Sequence, residues 1–428
     1  MNTMLEEKRV SWLLAAVVAL VGLVVSLAAF KARSAALRTV TRPAADAAVR
    51  GQTEEAARLI DRVLASDGRN VEALFVRACI RLQAGDFKAA REDIERLDSF
   101  RGGLPEVLIL RELAAARDRA PQVGWTPAFV AALKKAGVNG SGQNLLQYMP
   151  TSRRSLSPEV VARLPGDDGF LVRAAEAGQP IAATLVDEAE QMVGQERPAV
   201  ILLAAASVLV SPRVAEADRE RATKSARALI GKLARENPDE MVLQAWAALS
   251  GGSDSSPLTQ AEVARLEQVV SSTRISLRLS SVYDPLRSAY ARVDPAQARE
   301  AAFQATFAFY PPPFHVALMR RTKATIESGD PRLGRRAGHA IERLARQVME
   351  QGSLLDLSIG SMLLGRAAAL AGDADLAAEA DRKRKELQSL RAAADRFRFA
   401  AEWPVAGLMA ELTDRKIHGE LELLRELL

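Results

Sequence analysis

Residues 83–94, QAGDFKAAREDI, have the composition of a turn between two helices. Gly85 can adopt the backbone conformation that ends a helix, and Ala90 is small enough to let a second helix pack closely. The same outline occurs earlier in the chain, in residues 50–61, RGQTEEAARLID, where Gly51 aligns with Gly85 and Ala56 aligns with Ala90 at the same offset. This recurrence at a fixed distance predicts a repeated helix–turn–helix unit.

The overall composition favours helices and excludes several kinds of site. Aromatic residues are only 5% of the 428 residues, whereas strands recruit aromatic and β-branched side chains. Cys79 is the single cysteine, which excludes an intramolecular disulfide and a zinc site built on cysteines. The 58 basic residues are balanced by 53 acidic residues, which is typical of solvated helix surfaces. We therefore predict an all-α protein with no nucleic-acid partner.

An uncharged stretch near the N-terminus predicts a membrane anchor. Residues 11–30, SWLLAAVVALVGLVVSLAAF, follow a tail at residues 1–10 and would form a helix of about 30 Å, the thickness of the hydrocarbon layer. A signal peptide cleaved after the small residues 26–28 is the alternative, but the apolar run continues past that point. The residues that we assign to the anchor are Trp12, Leu13, Leu14, Val21, Leu23 and Phe30.

The side of the membrane on which the body lies is harder to predict. Basic residues flank the anchor almost equally on both sides and slightly favour a cytoplasmic body. A short N-terminal tail before one span, however, more often stays inside and sends the body out. We expect a single-pass protein of a cell inner membrane with its body on the extracytoplasmic (periplasmic) side, and the cytoplasmic side remains open.

The rest of the chain divides into three helical regions. We predict repeats at residues 36–118, a divergent helical region at 119–312, and a C-terminal helical region with further repeats at 313–428. Thr126-Pro127 and Asp330-Pro331 each place a capping residue before a proline, which predicts a helix start. Glycine-rich residues 137–144, 165–169 and 250–257 predict breaks between helices.

The repeated pattern resembles the tetratricopeptide repeat. In that family a glycine makes the turn between two helices, and a small residue lets the second helix pack closely. The resemblance implies a tetratricopeptide-like helical-repeat solenoid that follows a single N-terminal transmembrane helix; an unrelated helical bundle is the alternative. The positions that match the family's turn and packing residues are Gly51, Ala56, Gly85, Ala90, Gly329, Gly372 and Ala377.

No set of side chains in the sequence predicts catalysis. His315, His339 and His418 are far apart and have no metal-ligand spacing. Cys79 lies beside Ala78 in the best repeat, where a small buried side chain is expected and a nucleophile is not. We therefore assign no catalytic, cofactor-binding or metal-ligating residue, and predict a non-enzyme without a cofactor or a small-molecule substrate.

The resemblance to tetratricopeptide proteins implies a role in protein–protein interaction. Such superhelices hold a partner on the face lined by the first helix of each repeat. On that face we select Phe75, Arg81 and Arg111 as partner-binding residues. Two locally basic stretches, residues 320–346 and 382–398, predict exposed helix faces, with contact to an acidic partner or anionic lipid headgroups as the alternative.

These features predict a membrane-anchored scaffold or accessory subunit of a bacterial-type membrane complex. Its partners would be one or more proteins of that complex, and residues 11–30 would contact the lipid bilayer. A chaperone-like or quality-control factor that binds nascent or unfolded clients at the membrane is the alternative. An enzyme with a site in residues 120–310 is a third hypothesis.

Overall fold

The structure is a computed structural model that describes residues 41–137, 156, 158–176, 183–192, 219–250, 252, 256–295, 297–309, 312–398 and 403–428. The predicted N-terminal tail and the predicted anchor at residues 11–30, including Trp12, Leu13, Leu14, Val21, Leu23 and Phe30, lie outside these residues. The same holds for residues 36–40 of the predicted repeat region and for most of the glycine-rich stretch at 137–144.

The described part of the chain is all-helical, as its composition predicts. Its backbone contains no strand, and an isolated bridge joins Glu240 to Arg274. Residues 41–49 are also helical. The helices that follow are α1 Thr53–Ser66, α2 Val71–Gln83, α3 Phe87–Arg101, α4 Pro105–Arg119, α5 Trp125–Ala136, α6 Pro158–Ala162, α7 Gly166–Glu176, α8 Ala183–Met192, α9 Arg219–Glu236, α10 Met241–Leu249, α11 Gln260–Ser272, α12 Leu279–Ala291, α13 Ala298–Phe309, α14 Pro312–Ser328, α15 Pro331–Met349, α16 Leu354–Ala371, α17 Ala374–Arg398 and α18 Ala406–Arg425.

These helices form two compact units. Unit 1 takes its described residues from Met1–Thr151 and Glu402–Met409. Unit 2 takes its described residues from Ser152–Ala401 and Ala410–Leu428. In unit 1 each of the helices α1 to α5 packs on the next, and in unit 2 the consecutive helices that pack on each other are α6–α8, α9–α11, α12–α13 and α15–α17.

Unit 1 contains the helix pairs that the recurrence in the sequence predicts. Gly51 and Gly85 lie in the turns and have φ of +76° and +79°, a region that favours glycine because a Cβ would be strained there. Ala56 and Ala90 are fully buried where the second helix of each pair packs on the first. The side chain of Asp86 accepts a hydrogen bond from the backbone N–H of Ala89 at 3.1 Å and so starts α3 directly after the turn.

A segment from the far end of the chain completes the core of unit 1. Trp403 is fully buried, and its ring lies edge-to-face against Phe75 on α2, at 5.2 Å between centroids, and against Phe129 on α5, at 5.4 Å. The backbone N–H of Gly407 donates to the Gln83 side chain at 3.0 Å. Sequence patterning did not predict this contact, because the segment lies near the opposite end of the chain from α2 and α5.

In unit 2, helices α9, α10, α11, α15, α16 and α17 each pack on the next in that order. In the α15–α16 pair, glycines of α15 face the backbone of α16, which lets the two helices approach closely. A Cβ at Gly334 would lie 2.8 Å from the carbonyl oxygen of Leu370, and a Cβ at Gly338 would lie 2.9 Å from that of Ala367. Larger side chains at these two positions would therefore push the helices apart.

Both predicted turns of the C-terminal repeat pattern lie between helices, but the predicted small residue of the second repeat, Ala377, is not at a close helix contact. Gly329 and Gly372 have φ of +73° and +68° and lie between consecutive helices. Ala377, which the family spacing places at the close helix contact, is exposed. Leu376 and Ala380 are buried instead, so α17 turns a different face to α16 than the repeat register predicts.

Two predicted helix boundaries also differ. Helix α5 begins at Trp125 with Gly124 as its N-cap, and Thr126 is buried in its first turn instead of capping it. Residues 166–169 of the predicted break form the first turn of α7, where Asp167 lies in a favourable position near the positive end of the helix dipole. A capping pattern depends only on residues that are neighbours in the sequence, so it does not show which of them the folded protein buries, as it buries Thr126.

One helix of the described residues, Leu354–Ala371, is long and apolar enough to cross a membrane by length and composition. Ten of its residues are buried, and it packs on α14, α15 and α17 inside unit 2. The core of a large helical domain requires an apolar helix of the same kind, so this helix supports a membrane span only weakly.

Candidate interaction surfaces

The predicted partner-binding residue Phe75 is not on the surface. Its side chain is fully buried and contacts Trp403 in the core of unit 1. None of the residues of α2 is exposed, because α1, α3 and the C-terminal segment pack around this helix. Phe75 is therefore a core residue, and the first helix of this repeat leaves no open face for a partner.

Arg81 holds its own helix pair together. Its Nη1 donates to the carboxylate of Asp93 at 2.8 Å and to the carbonyl oxygen of Ala89 at 3.0 Å. Arg77 donates to the other carboxylate oxygen of Asp93 at 2.7 Å, and this hydrogen bond raises the pKa of Arg77. Asp93 is only 1% exposed and accepts hydrogen bonds from both arginines, so Arg81 has a structural role in joining α2 to α3.

Arg111 is the predicted contact residue that stays on the surface. Its side chain is 46% exposed and its Nη2 lies 2.9 Å from the carboxylate of Asp98 on α3. An exposed ion pair of this kind contributes little to stability, about 0–1 kcal/mol. A partner could therefore compete for Arg111 at small energetic cost.

Unit 2 contains a buried arginine in the basic stretch at residues 320–346, which the sequence predicts to be an exposed helix face. Arg321 is 2% exposed, and its guanidinium donates to both carboxylate oxygens of Glu262 at 2.7 Å each. Its remaining hydrogen bonds run to the carbonyl oxygens of Leu249, Ser256 and Pro257 at 3.0–3.2 Å. These hydrogen bonds give the guanidinium group of Arg321 a structural role, because they hold the connection between α10 and α11 in place.

Glu262 itself connects local and tertiary structure. It forms a capping box with Thr259 at the start of α11, a pattern that could be found in the sequence. Burial would raise the pKa of Glu262, but hydrogen bonds from Arg321 and Thr259 outweigh burial and lower it. No signal in the sequence identifies Arg321 as the partner, since 59 residues separate the two.

A second buried acidic residue, Glu240, holds the connection between α11 and α12 in place through hydrogen bonds. Glu240 is 4% exposed and caps α10 by accepting a hydrogen bond from the backbone N–H of Val242. Its other oxygen accepts from the backbone N–H groups of Ser276 at 2.7 Å and Leu277 at 3.0 Å. Both of these buried carboxylates thus hold loops in place through their hydrogen bonds.

His315 in unit 2 and Cys79 in unit 1, two residue types that could take part in catalysis, are both buried. His315 is 5% exposed, and burial lowers its pKa to about 4, so the imidazole is neutral at physiological pH. Burial raises the pKa of Cys79 well above its usual value, which keeps the thiol protonated and unreactive. Within the residues that the structure describes, no three His, Cys, Asp or Glu side chains come close enough to hold a metal ion.

Unit 2 also contains a cleft of about 300 Å³ where α14, α15 and α16 meet. Its walls include Leu370, Asp330 and Arg335. The Asp330 carboxylate already accepts hydrogen bonds from the backbone N–H groups of Arg332 and Leu333 at the start of α15. Asp330 therefore has a structural role at the edge of the cleft, at the start of α15.

Comparison of the chain with protein families, curated proteins and solved structures finds no match.

Proposed function

We propose that this chain is a membrane-anchored, tetratricopeptide-like helical-repeat protein that binds a protein partner as a scaffold or accessory subunit of a membrane complex. The observation that carries the proposal is the recurrence, at a fixed offset in unit 1, of two helix pairs with Gly51 and Gly85 at their turns. Repeated helix pairs offer an extended, regular surface that suits protein binding more than catalysis. The role is non-enzymatic.

The second helices of these pairs, α1 and α3, supply most of their exposed side chains, whereas α2 supplies none. A partner would meet α1, α3 and the exposed side of α4, which carries Arg111. This surface has mixed charge, so charge pairing would help to select the partner and set its orientation. This surface takes the place of the face lined by the first helix of each repeat, which is the binding face that the family resemblance implies.

The uncharged residues 11–30 would anchor the protein in the membrane as a single pass, with the body on the extracytoplasmic side. Two reporters fused after Leu428, one active only outside the cytoplasm and one fluorescent only inside it, distinguish the two topologies. Activity of the outside reporter supports the proposed side, and fluorescence of the inside reporter contradicts it.

The partner is tested by affinity capture of the full-length chain from detergent-solubilised membranes, with the captured proteins quantified by mass spectrometry. We expect one protein or one small set in about equal amount to the bait. Arg111→Glu should weaken its recovery by about tenfold or more, as loss of a central interface arginine does. Arg163→Glu is the matched control, because Arg163 is exposed and lies in unit 2.

Other outcomes of the same experiment contradict the proposal. Many clients in small amounts would favour a chaperone-like factor, and the absence of any enriched protein would exclude a stable scaffold. Equal recovery of the partner by both variants would exclude Arg111 from the interface.

A further inference from the structure

The solvent face of α15 carries a row of basic side chains along its whole length. Positions 332, 335, 336, 339, 343 and 346 are all exposed and fall on one side of the helix, and they contain five arginines and one histidine. At 1.5 Å per residue this row, which we call the α15 ridge, is about 21 Å long. Such a row is a larger and more regular concentration of charge than a mixed helix surface provides.

Acidic neighbours neutralise only part of the ridge. Arg336 lies 2.5 Å from the carboxylate of Glu267 on α11, and Arg346 lies 2.7 Å from that of Glu379 on α17. Glu342 on α15 also pairs with Arg346, at 2.9 Å. These pairs lie on the two flanks of the helix, next to α11 and α17.

Arg332, Arg335 and Arg343 are the part of the ridge without an ion pair, although Arg343 is close enough to Glu267 to contribute to the lowered pKa of that carboxyl. None of them forms an ion pair with a residue that the structure describes, and all three are exposed. They extend over about 17 Å of the helix. The ridge therefore has a net positive charge that an external anionic group can balance.

The opposite face of α15 makes the ridge rigid. Gly334 and Gly338 bring this face against the backbone of α16, and Ala337, Ile341 and Leu344 are fully buried beside them. The arginines are thus mounted on a helix that cannot rotate without breaking the core of unit 2. A row of guanidinium groups that project from a packed helix can contact a row of phosphates.

We propose that the α15 ridge docks unit 2 on an anionic lipid surface. Guanidinium groups bind phosphate oxygens in a bidentate geometry, and a lipid leaflet presents phosphates as an extended layer that requires no shape complementarity from the protein. The choice of lipid over an acidic protein rests on the membrane anchor of the proposed function, which keeps the chain beside a bilayer. The ridge is then a second, electrostatic contact with the same membrane.

The test measures the distance between the ridge and the bilayer in the full-length protein. The chain is reconstituted into phosphatidylcholine vesicles with or without phosphatidylglycerol, and energy transfer is measured from a dye on His339→Cys to a headgroup-labelled lipid. The natural Cys79 is buried and does not compete for the dye. We expect higher transfer in the vesicles with phosphatidylglycerol, and its loss in about 1 M salt, where charges are screened within a few ångströms.

Two triple variants distinguish the effect of the α15 ridge on docking from the effect of the protein's total charge. Each arginine close to an anionic leaflet favours binding by about fivefold, so Arg332→Gln with Arg335→Gln and Arg343→Gln should lower the docked population relative to the free one by about 100-fold. The control removes the same charge elsewhere in unit 2 through Arg163→Gln, Arg227→Gln and Arg235→Gln, all at exposed positions. It should leave the transfer unchanged.

Equal transfer with and without phosphatidylglycerol would overturn the proposal, as would equal loss of transfer in both triple variants. Transfer that is independent of lipid but decreases on addition of polyglutamate would assign the ridge to an acidic protein instead. Flotation of the protein with neutral vesicles tests the anchor separately. Failure of the anchor or of partner capture is therefore distinguishable from failure of lipid docking.

Discussion

Replacement of Trp403 by alanine tests whether the C-terminal segment at residues 403–409 belongs to the core of unit 1. The side chain is fully buried, and loss of a buried tryptophan costs about 3–5 kcal/mol because a cavity remains. Edge-to-face contacts with Phe75 and Phe129 are lost with it, and each contributes about 0.5–1.5 kcal/mol beyond burial. We therefore expect a loss of about 4 kcal/mol, in the middle of the first range.

Native-state hydrogen exchange on the full-length protein in detergent gives the measurement, because it reports the stability of individual helices. A loss of about 4 kcal/mol corresponds to a decrease of almost three orders of magnitude in the protection of the most stable amides of α2 and α5. Trp403→Phe keeps an aromatic ring in the site and should lose less than half as much.

Phe100→Ala is the matched control in unit 1, because Phe100 is 38% exposed and its loss should cost less than about 1 kcal/mol. Protection of α2 and α5 that stays within about tenfold of the wild-type value in Trp403→Ala would refute the reasoning, since about 1.4 kcal/mol is then the upper limit of the effect. The segment would in that case cover the repeats without being part of their core.

Three further predictions concern unit 2. Arg321→Met leaves the buried Glu262 without its cation and should lower the free energy of unfolding by about 3–5 kcal/mol in thermal melts, whereas the double variant with Glu262→Leu should recover much of this loss. Gly338→Ala places a Cβ 2.9 Å from a carbonyl oxygen of α16 and should destabilise by about 1–3 kcal/mol in urea titrations, whereas Gly231→Ala has room and should stabilise by up to about 1 kcal/mol. Burial lowers the pKa of His315 in the folded protein from 6.5 to about 4. The stability that the neutral imidazole contributes is therefore present above pH 6.5 and decreases as the pH falls towards 4. We expect this decrease to be about 2 kcal/mol between pH 7 and pH 5. Urea unfolding of His315→Phe at each pH should show a correspondingly smaller pH dependence.

Each of these predictions has an outcome that contradicts it. A double variant as unstable as Arg321→Met alone would show that the fastened loop, and not the unpaired charge, dominates the loss. Equal effects of the two glycine substitutions would contradict close packing of α15 on α16. An unchanged pH dependence in His315→Phe would show that another group takes up the proton.

Local signals identified the helix pairs but not the residues that join distant elements. The turn glycines and the Thr259–Glu262 capping box depend on neighbours within a few residues, and such patterns are visible in the sequence. The position of Phe75 in its helix suits a partner face, but the ring that covers it, Trp403, comes from the opposite end of the chain. The basic stretch likewise predicts that Arg321 is exposed, because its partner Glu262 lies 59 residues away in the chain.

The sequence by itself determined that the chain is helical, where several of its turns lie and that a helix–turn–helix pair recurs at a fixed offset, because backbone propensity, glycine conformation and apolar periodicity act over short distances. Only the tertiary structure decided which of these helices have an open face. Whether a residue is buried depends on the whole packed structure. Residues 403–409 pack against α2, and Glu262 pairs with Arg321. The glycines of α15 face α16, so the arginines of α15 remain exposed on the other side of the helix. For this reason composition and spacing predicted a helical-repeat protein, whereas the α15 ridge became a candidate membrane contact only once its neighbours were known.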